Sequence, residues 1–203
     1  RRRRAAAEPH PDVLVGLYAA VLWGPGLLLG RLAGVRSWTL AAAAPLFTYA
    51  VAGIAGPLLT TLGIAWSPAS AAAAVGGAAL LAAAAYAAVR RVRPPHSPWS
   101  RRAGYGVAAG TAAVAAFGVA VVGVGIGRLG AIPQDWDAAF HANGIRWIAD
   151  TGDASLTGMG RVNWYETGVE VFYPNAYHLV AAVVYRLSGA DVPSVLNAQT
   201  MLL

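Results

Sequence analysis

The chain has 203 residues, of which 57% are hydrophobic and 12% charged, and its 24 glycines add to a composition too apolar for an ordinary soluble domain. Its formal net charge of +6 rests on arginines at the ends of apolar runs, with no single basic face, which argues for membrane anchoring and against nucleic-acid binding. The absence of cysteine excludes disulfides and thiolate metal sites.

The opening "RRRR" followed by an apolar run has the outline of a secretory signal peptide. However, "EPHPD" separates the two and no small-residue cleavage site precedes Arg31, so the run reads as a membrane span. A hydrocarbon core of roughly 30 Å needs about 20 helical residues. Uncharged runs place four transmembrane helices at about 13–30, 37–65, 69–89 and 104–130, with a turn at Trp66-Ser67-Pro68 between the second and third. A loop over 131–173 follows, then a fifth transmembrane helix over about 174–190 and the start of a truncated sixth in 192–203. In the fifth, Arg186 can snorkel to the interface. A chain with no initiating methionine that ends "VLNAQTMLL" reads as the N-terminal part of a longer protein. The expected fold class is therefore all-α: a polytopic transmembrane helical bundle with one extracytoplasmic loop carrying a short amphipathic helix.

The positive-inside bias orients the bundle. Arg31, Arg36, Arg90, Arg91, Arg93, Arg101 and Arg102 fall on one side, against Arg128, Arg146 and Arg161 on the other if the N-terminal tail is set aside. That puts the 131–173 loop outside the cell membrane.

Two motifs inside the apolar part are read structurally. "GIGRLG" matches the dinucleotide pattern G-x-G-x-x-G, but Pro133 and "PQDWD" follow where a βαβ unit needs a helix. The same glycines, with Gly106 and Gly110, give small-residue spacings that let helices pack closely in lipid. "RRVRPPHSPWSRR", including His96, reads as a solvated cytoplasmic loop.

The loop holds Asp135, Asp137, Asp150, Asp153, Glu166 and Glu170, six of the nine acidic residues. Its first half predicts a helix over about 136–150. Asp135 is the N-cap, Ile145, Trp147 and Ile148 form the apolar side, and Gly152 is the C′ residue. Trp136 and Trp147 suit such a helix to the membrane surface. Asp137 and His141 stand four apart and share a face. "GRVNWYETGVEV" reads as irregular or briefly extended, and "FYPNAYH" opens the fifth span with Pro174 in its first turn, bringing Asn175 and His178 to the membrane boundary. Carboxylates and imidazoles there can bind a divalent ion or act as a general base. The plainer reading is a cap at Asp135, an i,i+4 pair at Asp137 and His141, and a satisfied His178.

"DWDAAFHANGIRWIADTG" followed by "FYPNAYHLVAAVVY", together with "PGLLLGRLAGVR" at the end of the first span, resembles a family of uncharacterised polytopic membrane proteins of high-GC bacteria. That family is in turn similar to GT-C glycosyltransferases, which use polyprenyl-phosphate-linked sugars. The resemblance implies an enzyme of the bacterial cell membrane that transfers a sugar from a polyprenyl-phosphate donor to a cell-envelope glycan or lipid acceptor. It implies Asp135 and Asp137 as the catalytic acidic motif, with Asp137 as general base. Asp135, Asp137 and His141 would form a set for a divalent cation (Mg or Mn), and His141, Tyr173, Asn175 and His178 would be substrate contacts. The chain departs from the GT-C pattern in carrying its acidic loop after the fourth span, where those enzymes carry it after the first. The alternative is a non-catalytic transporter, flippase component or scaffold of cell-envelope assembly. The four long spans carry no charge at their centres, which gives a transporter no intramembrane ionisable group.

Overall fold

A computed structural model describes residues 9–89, 100–134, 136–162 and 171–203. Among the described residues seven α-helices follow one another: α1 (Pro11–Leu32), α2 (Ser37–Thr61), α3 (Pro68–Val89), α4 (Arg101–Ile126), α5 (Trp136–Thr151), α6 (Ala176–Ser188) and α7 (Val192–Leu202). A short 3₁₀ helix, Gly158–Val162, lies between α5 and α6. No strand occurs among the described residues. Helices α1 to α4 are long and apolar enough to cross a membrane.

The α1–α2 seam follows from residues recurring every four positions, with a row of small ones along α2. Leu14, Tyr18, Leu22 and Gly26 are buried along α1, and Ala44, Thr48, Ala52 and Gly56 along α2. Residues four apart lie on one face, so two matching rows can interlock. At Gly26 the backbones meet so closely that a Cβ would overlap the backbone of Ala44. Pro25 removes one helical N–H nearby, and the Leu22 carbonyl accepts from Thr48 Oγ1 at 2.6 Å. The turn after α1 needs Gly34, which has φ 88° and stands where any side chain would strike the Tyr86 ring.

Close packing was expected of the α4 glycines, and the structure puts it elsewhere. Gly106, Gly110 and Gly125 have nothing within 4 Å of a Cβ position, and α4 buries no residue. Spacing alone permits a close approach, and α4 meets the rest of the fold mainly at its end, where Gly123 faces Met201 of α7. The 90–99 loop, with His96, lies outside the described residues.

An apolar core sits at one end of the bundle. It joins Leu14, Tyr18 and Leu22 of α1 to Ile145 and Ile148 of α5, Leu179 to Val184 of α6, and Val195 and Ala198 of α7. The cap formed by α5, α6 and α7 is tied down by two bonds from backbone N–H groups: Trp66 N–H donates to Gly152 O at 2.8 Å, and Ala154 N–H donates to Thr60 Oγ1 at 3.0 Å. Asn197 Nδ2 donates to the carbonyls of Leu129 and Ala131, fastening α7 to the end of α4.

Two expectations change at this end. The 174–190 segment, read as a fifth span, forms a helix of only 13 residues, about 20 Å long, with residues 178 to 184 all buried. Gly189, in the left-handed region at φ 67°, closes α6, and its Leu179–Val184 run is covered by protein neighbours. The apolar side of α5 also packs on protein: Ile145 and Ile148 are fully buried in the shared core, while Trp136 is exposed. The helix ends as its sequence indicates, with Gly152 at φ 71° and its N–H on Ile148 O. The expected sixth element is α7, whose start is capped by Asp191 Oδ1 accepting from Ser194 N–H at 2.7 Å.

Candidate functional site

The polar residues of the cap converge on two histidines. His141 lies in the second turn of α5, and His178 in the first turn of α6. Nδ1 of His141 and Nε2 of His178 stand 2.8 Å apart. Gly144, one turn after His141, makes the approach possible. A side chain there would strike the end of Met159, with His178 Cδ2 3.2 Å away.

Aromatic rings wall the pair. His141 has Tyr177 at 5.6 Å and Tyr173 at 6.5 Å between ring centroids. His178 has Tyr177 at 5.2 Å and Tyr173 at 5.6 Å, both edge-on. Phe140 packs edge-on to Tyr173 at 5.0 Å. Tyr173 is fixed by its own N–H, which donates to Leu156 O at 2.7 Å.

Burial gives the two imidazoles different roles. His178 is 1% exposed, and burial first, then the neighbouring His141, pushes its pKa down to about 3. At neutral pH His178 therefore carries one proton. Its Nδ1 is buried and has no partner among the described residues. An unmatched lone pair is tolerated better than an orphaned N–H, so we assign the proton to Nε2, donating to Nδ1 of His141. With its Nδ1 accepting, His141 carries a proton on Nε2, as a donor at the half-buried edge of the cluster. Such a donor suits an anion better than a metal. Burial, with Tyr49 and Tyr173 adding to it, pushes the Tyr177 phenol up to about 12, so it stays protonated.

The other expected residues fall as follows. Asp137 is exposed on the first turn of α5 and makes no hydrogen bond or ion pair with His141 among the described residues; the histidine's partner is 37 residues away, on α6. Asp135, with its cap and metal roles, lies outside the described residues, as do Glu166 and Glu170. Asn175 is buried, and its Nδ2 donates to the carbonyls of Ala154 and Ser155 at 2.9 and 3.0 Å. Both amide hydrogens are thereby used in holding α6 to the segment after α5. Among the described residues no three His, Asp or Glu side chains gather as a metal set.

Sequence reasoning missed Phe140, Gly144 and Tyr177, which have no motif of their own. It also missed Gln199. This side chain is fully buried, and its Nε2 donates to Tyr49 Oη and Tyr177 O, both at 3.2 Å. A glutamine inside the apolar "VLNAQTMLL" was the available signal.

These features define a polytopic helical membrane protein with a hydrogen-bonded histidine pair, one ring buried and one half-buried, in a helical cap at one end of its spans. The chain belongs to a family of unknown function, DUF6541, whose pattern it matches over residues 19–203. No curated protein and no solved structure matches it.

Proposed function

We propose that the protein is an integral membrane transferase of GT-C type, moving a sugar from a polyprenyl-phosphate donor to a cell-envelope acceptor, with the cap on the extracytoplasmic side. The observation that carries this reading is the His141–His178 pair, which supports a fixed proton donor one turn from the exposed carboxylate of Asp137, at the end of four apolar helices. In this reading Asp137 takes the proton of the acceptor hydroxyl as the oxygen attacks the anomeric carbon. The bond from that carbon to the phosphate oxygen breaks, and polyprenyl phosphate leaves. His141 Nε2–H donates to the phosphate as its charge grows, and His178 holds His141 in that tautomer.

Asp135 and Asp137 are the residues that would hold a Mg²⁺ or Mn²⁺ ion, which would add positive charge beside the leaving phosphate. The tautomer assigned to His141 takes it out of that set.

The test is transfer from a radiolabelled polyprenyl-phosphate sugar pool by the full-length protein and by Asp137→Asn. Loss of product in the variant supports the reading. Unchanged transfer sinks Asp137 as the base, and no product even from the wild type removes the enzyme class.

A further inference from the structure

Beneath α6, between α1, α2 and α3, lies an apolar cavity of about 520 Å³. Its walls include Val21 and Pro25 of α1, Val51 of α2, Ala72 of α3, and Val183 and Leu187 of α6. The sequence makes this space. The α3 wall is built from Ala71, Ala72 and Val75, where larger side chains would fill the gap, and Pro25 interrupts the helical ladder opposite. Three of its four walls are helices long and apolar enough to cross a membrane.

A charged group stands just outside the cavity lining, next to Trp66. Trp66 belongs to that lining, and Nη1 of Arg186 lies 3.5 Å from the Trp66 carbonyl, on the same helix as Val183 and Leu187. Arg186 is exposed and has no acidic partner among the described residues. The carboxylate of Asp150 is already held by Arg146. A guanidinium with no acidic partner, next to a lining residue of an apolar groove, matches a molecule with an anionic head and an apolar chain.

We infer that this groove binds an anionic phospholipid, with one acyl chain between α1, α3 and α6 and the phosphate on Arg186. The site is separate from the histidine pair and does not depend on the proposed transfer.

The test uses the full chain in phosphatidylcholine vesicles, with Trp66 as reporter. A small fraction of the lipid is replaced by phosphatidylglycerol or phosphatidylcholine brominated on the acyl chain, and the Trp66 signal is taken as the difference from Trp66→Phe. Brominated phosphatidylglycerol should bind about fivefold better than brominated phosphatidylcholine, the weight of one arginine at an anionic surface. Arg186→Gln should abolish that preference, and Ala72→Phe, which fills the groove from α3, should abolish quenching by both. Val183→Phe fills it from α6 and gives the same reading if Ala72→Phe does not fold. Equal binding of the two lipids by the wild type overturns the proposal, as does a preference that survives Arg186→Gln. Quenching that persists in a folded groove-filling variant also overturns it. So does displacement by undecaprenyl phosphate where unlabelled phosphatidylglycerol fails to displace, or a second copy cross-linking through a cysteine at position 72.

Discussion

Nδ1 of His141 and Nε2 of His178 share one hydrogen bond of 2.8 Å across the α5–α6 contact, and that bond satisfies the one nitrogen of His178 that has a partner. Removing His141 alone therefore strands a buried ring. His141→Ala should cost about 1–3 kcal/mol in unfolding from detergent. Pairing it with His178→Phe should cost less than the sum of the two single changes, because the second change removes the stranded group. Strictly additive costs would mean that the bond does not form.

The same burial makes stability depend on pH. The folded state holds His178 neutral down to about pH 3, whereas an unfolded imidazole takes up its proton near 6.5. A lowered folded pKa means that the unfolded state binds more protons between these values. Stability from this residue is thus complete above about pH 6.5 and falls as the pH drops toward 3, by up to about 1.4 kcal/mol per unit. Unfolding midpoints taken between pH 7 and 5 should decline in the wild type and lose this component in His178→Phe.

Glycines of similar spacing should respond differently. At Gly26 an added methyl meets the backbone of Ala44, so Gly26→Ala should cost about 1–3 kcal/mol as α1 and α2 are pushed apart. Gly110 has open space around it, and Gly110→Ala should stay within about 0.5 kcal/mol. Thermal unfolding of the two variants in one detergent compares them directly.

The proposed orientation has its own test. Thr157 is exposed in the segment after α5, and the chain has no native cysteine. Thr157→Cys should react with an impermeant thiol reagent in intact cells. Labelling only after permeabilisation would put the cap on the cytoplasmic side.

How far the sequence could be read depended on the range of the forces involved. The four long apolar helices follow from uncharged runs, since a bilayer asks only for length and apolarity. The same signal is ambiguous at 174–190, because "LVAAVV" is as apolar when buried by protein in α6 as it would be in lipid. Gly152 was legible as a helix end because the requirement is local. The i,i+4 spacing of Asp137 and His141 was legible too, but it located only a shared face. The partner that His141 takes, His178, comes from tertiary packing through Gly144, which no local spacing encodes.

The central claim is that this cap performs transfer chemistry with His141 as donor to the leaving phosphate. The most direct measurement is the transfer rate of His141→Phe in the full-length protein, alongside its unfolding midpoint and with labelled polyprenyl-phosphate sugar as donor. A loss of about 10²-fold or more in a variant that remains folded is the expected result. A folded His141→Phe protein that transfers sugar at the wild-type rate would contradict the account.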